Sequence, residues 1–264
     1  WTTRAIALST ISVAAMESSG SCASVVGIMS AMPVEIDKLK QHVTEQKELQ
    51  HGMYTLTTGK LAGKDVVFAF SNVGMVFAGS VATIMIEVYK VEALLFSGVA
   101  GGLKPGQSVG DLVVGADVVN YEFDVRAFTV PFEPDYRYQL GEIPFLKWRF
   151  YEADAKMLQL AMDAPISQGV RRSLGRIASG SIFVTTEQKK AMTESVWEPL
   201  GSPDAVEMEN AAVAQICKAY NVPYLSLRAL SDLIEGDANE DFNAFVVQAA
   251  ENVYPIVEHV VKGL

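Results

Sequence analysis

The sequence predicts a single α/β domain, a mixed and mostly parallel sheet flanked by helices. Three observations predict it. Short apolar runs alternate with stretches of helical periodicity from Ser24 to the C-terminus, and several runs are apolar at consecutive positions, as in strands buried on both faces. No repeat and no Pro- or Ser-rich linker divides the 264 residues.

The elements follow in chain order. Val25 to Met29 is an apolar strand, and a turn leads to Val34–His42, whose apolar positions recur at helical spacing. Thr44 to His51 is a polar patch. Tyr54–Thr58 and Asp65–Ser71 read as the arms of a hairpin around Gly59–Lys64, which brings in antiparallel pairing. Val76 to Tyr89 reads as helix, Ala93–Ser97 as a short strand, and Asp111–Ala116 as another strand after a turn bearing Pro and Gly. Residues 120–147 carry seven aromatic residues and three prolines, which marks an ordered functional or partner-contacting segment, because aromatics seldom sit in free linkers. Helix is expected at Glu152–Met162, strand at Leu174–Ser179, helix at Gln188–Val196 and Glu209–Tyr220, and strand at Pro223–Ala229. A terminal helix spans Glu240–Lys262 and contains Pro255.

Two apolar stretches need separate treatment. Residues 1–24 form a leader: Ala5–Met16 is uncharged after Arg4, and Ser21-Cys22-Ala23 supplies small residues of the kind found at an export cleavage site. The leader is read first as an unstructured segment of a cytoplasmic protein, and in the alternative as a signal peptide, which would place the protein in the periplasm. Residues 25–264 form the folded domain under both readings. Val66 to Ile86 is long enough to cross a bilayer, but Ser71, Asn72, Gly74, Gly79 and Ser80 break it as strand, turn and helix would, so no membrane span is expected.

Composition narrows the chemistry. Asp and Glu outnumber Lys and Arg by 31 to 21 and no basic block exists, which argues against a nucleic-acid partner. Cys22 and Cys217 cannot build a disulfide framework, and His42, His51 and His259 lack metal-ligand spacing, so neither a metal nor a Ser–His hydrolase is expected. In α/β sheets, ligands meet side chains where strands end. Four such places carry polar groups: Ala31–Glu35, Phe96–Gly102, Val206–Asn210 and Arg228–Asp232. The glycine-bearing run has neither the dinucleotide nor the P-loop spacing. Each acid alone is ordinary: Glu35 as a solvated helix acid, Glu207 and Glu209 as first-turn acids, Asp232 as a helix cap. Three carboxylate sites at strand ends of one sheet are less ordinary, because one can protonate a leaving group, one activate water and one grip hydroxyls.

These residues resemble the nucleoside phosphorylase family, most closely its hydrolytic branch, the 5'-methylthioadenosine/S-adenosylhomocysteine nucleosidases. The likeness runs from about Val25 to the C-terminus. It is carried by Gly27-Ile28-Met29-Ser30-Ala31-Met32 with Glu35, Val99-Ala100-Gly101-Gly102-Leu103 with Val109–Val114, Ser179–Val184, Val206-Glu207-Met208-Glu209, and Arg228-Ala229-Leu230-Ser231-Asp232. The resemblance implies hydrolysis of the N-glycosidic bond without a cofactor, in a homodimer. It makes Asp232 the acid that protonates adenine N7, a role for which burial should hold its proton near neutral pH. Glu35 becomes the carboxylate that deprotonates water, Glu209 the ligand of the ribose hydroxyls, and Arg228 the residue that orients a carboxylate. Phe183 would stack on adenine, the Val184 backbone would bond its edge, and Met208 would lie under the sugar. Glu207, Ser231, Ala100 and Gly101 complete the substrate-binding set. Met32, Val73, Val125 and Phe242 would surround the 5'-thio group, with Phe128 and Pro144 entering from the neighbouring subunit.

The nucleophile can be argued from residues. A phosphorylase must hold a phosphate dianion, for which arginine is the usual clamp. No arginine stands between Arg4 and Arg126, and Met32-Pro33-Val34-Glu35 replaces the family's phosphate loop after the first strand. A carboxylate there repels phosphate and suits water. Val99, Met75 and the Phe132-Glu133-Pro134-Asp135 region depart from the nucleosidase pattern, and they bear on the shape of the 5' pocket. A phosphorylase, a futalosine-type hydrolase and a non-catalytic nucleoside-binding or storage protein of the same fold remain as alternatives.

Overall fold

The computed structural model describes residues 24–234 and 238–264, so the expected leader lies outside the described residues except for Ser24. Among the described residues there are ten strands and six α-helices. β1 (Val25–Ser30) pairs in parallel with β4 (Lys64–Phe70) on one side and β5 (Ala93–Gly102) on the other. Beyond β4, β3 (Tyr54–Leu61) and β2 (Thr44–His51) extend the sheet antiparallel. On the other side, β5 pairs with both β10 (Tyr224–Asp232) and β9 (Ala205–Glu207). β10 then pairs with β6 (Leu112–Asn120), β6 with β8 (Arg172–Ser179), and β8 with β9, which closes this half into a ring. The short β7 (Tyr151–Glu152) adds to β6.

Helices cover both faces of the sheet because its strands are apolar on both. Val26 and Ile28 of β1 point into a core with Ile36 and Leu39 of α1 (Pro33–Lys40), Met157 of α3 (Ala155–Asp163) and Ile256 of α6 (Ala238–Gly263). Met29 points to the opposite core, where Val81 and Met85 of α2 (Met75–Glu87) meet Val213 and Cys217 of α5 (Asn210–Tyr220). Full burial of each such aliphatic side chain contributes roughly 1.5–3 kcal/mol. α4 (Thr186–Ala191) continues into a π-helical turn at Thr193–Trp197, splitting the single helix expected from Gln188 to Val196. Val66–Ile86 is β4, a turn and α2, and among the described residues no helix is long and apolar enough to cross a membrane.

Several segments differ from the sequence reading: β7 and β9 are short strands where none is expected, and two larger differences have a clear physical reason. The polar patch Thr44–His51 is a full edge strand. It carries Glu45, Lys47 and Glu48 on an exposed edge, where charge guards against pairing with another chain and erases the apolar alternation that marks a strand. The glycine-bearing run after Ser97 is the second half of β5, buried throughout. Its register with β10 sets Arg228 beside Gly98 and Asp232 beside Gly101, with a shift between Leu230 and Asp232. Each functional side chain of β10 thus lies where its neighbour strand has none.

Candidate active site

The C-terminal ends of β1, β5, β9 and β10 converge on a cavity of about 150 Å³, lined by Met32, Glu35, Val73, Ala100, Gly101, Phe183, Glu207, Met208, Glu209, Ser231, Asp232 and Phe242, with Ala31, Val99 and Val206 between them. An adjoining pocket of about 40 Å³ shares Gly101, Phe183, Val206, Glu207, Met208 and Asp232 with it and adds Ile182, Val184 and Lys189. The structure therefore brings together the three acids and most of the expected substrate-binding residues. Arg228 lies behind the lining, fully buried.

Glu35 stands in the first turn of α1, five residues after the end of β1. Its Oε2 accepts the N–H groups of Ala31 (2.9 Å) and Met32 (2.8 Å), and its Oε1 accepts Val99 N–H at 2.8 Å, so the carboxylate ties β1 to β5. Burial pushes the Glu35 carboxyl above its ordinary value of 4.5, against the opposing Arg228 charge and the three N–H groups. A carboxylate with raised proton affinity is a better base near neutral pH.

Arg228 organises the acids. Its Nη2 donates to Glu207 Oε2 at 2.8 Å, its Nη1 donates to Val99 O at 3.2 Å, and Glu209 Oε2 stands 4.0 Å from Nη2. With its amide oxygen turned toward the guanidinium, Asn210 accepts from Nε at 2.8 Å and Nη2 at 2.9 Å. The guanidinium also lies over the Phe96 ring, 4.6 Å from its centroid. Glu207, expected among the substrate ligands, lines the cavity with its oxygens taken up elsewhere. It accepts from Arg228, from the Ser179 hydroxyl and from the N–H groups of Glu209 (3.0 Å) and Asn210 (3.0 and 3.2 Å). Glu209 is the freer acid. Its Oε1 accepts Gly74 N–H at 2.8 Å, and burial, reinforced by the Glu207 charge, pushes its carboxyl up to about 8.

Asp232 ends β10. Its Oδ1 accepts from Ser231 Oγ at 3.0 Å, and its Oδ2 accepts from Lys189 Nζ, which also donates to Leu233 O at 3.2 Å. The sequence expectation for Asp232 rested on burial alone; the structure adds a fully buried ammonium. Nothing in the sequence marks Lys189 beyond the Thr185-x-x-Gln188 pattern that opens α4, because a lone helical lysine reads as solvated. Gly98 belongs to the Phe96–Gly102 run picked out in the sequence, but what approaches it is two charged side chains of this chain. A Cβ there would sit 2.5 Å from Glu35 Oε1 and against Arg228 Nη1, so the glycine is what lets the two charges approach β5.

The aromatic and apolar residues divide. Phe183 and Phe242 meet edge-to-face at the cavity, ring centroids 5.8 Å apart, and Phe183 stays 42% exposed, leaving a face free for a planar ligand. Val125, expected in the 5' pocket, does not line it. Asn120 Oδ1 takes the N–H groups of Glu122 and Phe123 in a turn, and the chain beyond carries Val125 outside the lining. Phe128 and Pro144, expected to reach a neighbouring copy's cavity and not their own, do not line this one. Phe128 stacks on Tyr138 and meets Phe145 edge-on in an exposed aromatic cluster.

Residues 25–262 match the family described as the phosphorylase superfamily. A relative from Staphylococcus haemolyticus, named 5'-methylthioadenosine/S-adenosylhomocysteine nucleosidase, is 32% identical over 90% of this chain and all of its own length. One from Campylobacter jejuni, named aminodeoxyfutalosine nucleosidase, is 33% identical over 86% of this chain and 93% of its own. The crystal structure of a 5'-methylthioadenosine/S-adenosylhomocysteine nucleosidase from Colwellia psychrerythraea, in complex with adenine, superposes with a TM-score of 0.82 at 30% identity, covering 92% of this chain and 96% of that one. With its ring-closed α/β sheet and its acids at the strand ends, this chain belongs to the phosphorylase superfamily, among its nucleosidases.

Proposed function

We propose that the protein hydrolyses the N-glycosidic bond of 5'-methylthioadenosine and S-adenosylhomocysteine, releasing adenine and the thioribose product. One observation carries the reading: Glu35, Glu209 and Asp232 surround a single cavity whose main lining, among the described residues, contains no lysine or arginine. Such a site has no clamp for a phosphate dianion, while a buried carboxylate of raised proton affinity suits the activation of water. Asp232 faces the purine end beside Phe183 and Val184 and passes a proton to the leaving base. Glu209 accepts the ribose hydroxyls, and its negative charge, formed as the sugar binds, stabilises an oxocarbenium-like transition state. Met32, Val73 and Phe242 give the 5' substituent an apolar wall.

The nucleoside is the small-molecule partner. A second copy of the chain is the proposed macromolecular partner, seated on the exposed Phe128, Phe132 and Phe145; sedimentation at the monomer mass would reject that assembly. The Campylobacter relative's name supports a second reading, in which a futalosine-type nucleoside is the substrate. Adenine release measured in parallel on 5'-methylthioadenosine, S-adenosylhomocysteine and aminodeoxyfutalosine separates the two. Turnover of the thio-nucleosides supports the first reading, and turnover of aminodeoxyfutalosine alone overturns it.

A further inference from the structure

The acid end of the site is a lysine–aspartate pair. Lys189 is fully buried, and its Nζ donates to Asp232 Oδ2 and to Leu233 O. The mount is rigid: Thr185 and Gln188 cap α4 reciprocally, Lys189 N–H bonds Thr185 O at 2.8 Å, and Trp197 Nε1–H, from the π-helical turn, bonds Lys189 O at 2.7 Å. Both partners press on β5 at Gly101, where a Cβ would lie 2.6 Å from Nζ and 2.7 Å from Oδ2. Lys189 also lines the adjoining pocket beside Phe183, Val184 and Asp232. A buried lysine held on one carboxylate, at the end of the cavity where the base must be protonated, has no packing reason to be charged.

Building on the nucleosidase reading above, we infer that Lys189 is the positioning and proton-supplying partner of Asp232, so that the proton given to the leaving base comes from the lysine ammonium through the aspartate. The protons and electrons balance. Asp232 starts as the carboxylate of the ion pair; one proton moves from Nζ to Asp232 and from Asp232 to purine N7 as the C1'–N9 bond breaks, and the C1'–N9 electron pair leaves with the base as neutral adenine. Water adds its oxygen to C1' and gives a proton to Glu35. After adenine departs, Glu35 releases that proton to the water refilling the cavity, and Lys189 takes one back.

The test uses two substrates with different need for protonation. Wild-type enzyme is assayed first on 5'-methylthioadenosine; no turnover there rejects the nucleosidase reading itself, and the relay falls with it. Lys189→Met then loses about 100-fold or more in kcat on 5'-methylthioadenosine. On 4-nitrophenyl 5-methylthio-β-riboside, whose leaving group departs unprotonated, it loses less than about threefold, and Lys189→Arg recovers part of the lost rate. Equal losses on both substrates, or none on either, overturn the relay. Should Lys189→Met fail to fold, Lys189→Met combined with Asp232→Asn removes both charges together. If the lysine acts through Asp232, the double variant matches Asp232→Asn on 5'-methylthioadenosine; additive losses refute the inference.

Discussion

Replacement of Gly98 by alanine tests whether the close approach of Glu35 and Arg228 to β5 is what builds the site. The added Cβ would lie 2.5 Å from Glu35 Oε1 and 3.0 Å from its Cδ, about 1 Å inside ordinary contact, and it would also meet Arg228 Nη1. Neither side chain has room to retreat. Glu35 is held by three backbone N–H groups, and Arg228 by Glu207, Asn210 and Val99 O. Overpacking a full core costs roughly 1–3 kcal/mol, and one strained hydrogen bond to a charged group adds about 1.5–3 kcal/mol. A net loss of about 3 kcal/mol would lower Tm by roughly 6–12 °C in a domain of this size. Turnover should fall more steeply, by about 100-fold, because Glu35 is displaced by close to an ångström. Calorimetry and initial rates of adenine release on the same preparation read both numbers. A variant that melts within about 2 °C of wild type and keeps its kcat would refute the reasoning.

Three further outcomes follow from the same geometry. Asp232→Asn should lower adenine release by at least about 100-fold while the protein still unfolds cooperatively, and near-normal turnover would mean that another group is the acid. Gly101→Ala should impair turnover by forcing Lys189 Nζ and Asp232 Oδ2 off β5, which initial rates would read directly; unchanged rates would show that the pair tolerates displacement. The Glu209 carboxyl, at about 8 in the folded protein against an ordinary 4.5, binds a proton in the folded state that the unfolded state has already released. Stability of the ligand-free protein should therefore fall as pH rises from about 4.5 to about 8, and Glu209→Gln should flatten that decline in urea titrations across the range; parallel curves for both proteins would contradict it.

Glu35 and Asp232 were legible because each follows or ends an apolar strand, β1 and β10, and Glu209 because it stands with Glu207 just before a helix; the three-residue β9 is too short to show a strand pattern. Periodicity located the flanking helices for the same reason, since α1, α2, α5 and α6 each bury one stripe against the sheet. Lys189 was hidden. Its burial is decided by Trp197 and Asp232, which are far from it in sequence or not marked as partners by any spacing. Gly98 to Gly102 read as a loop because glycines are turn formers, whereas here their missing side chains make room for Arg228 and Asp232 from the paired strand. β2 was missed because an exposed edge strand has no apolar face to show. In each case the deciding fact is the identity of a neighbour across the sheet, which local pattern does not carry.

The central claim is that carboxylates activate water at a cavity without a phosphate clamp. Its most direct test is the rate and product of 5'-methylthioadenosine cleavage in phosphate-free buffer and again with saturating phosphate. The account predicts the same rate in both, with adenine and free methylthioribose as products. A rate that requires phosphate, with methylthioribose 1-phosphate as the sugar product, would contradict it.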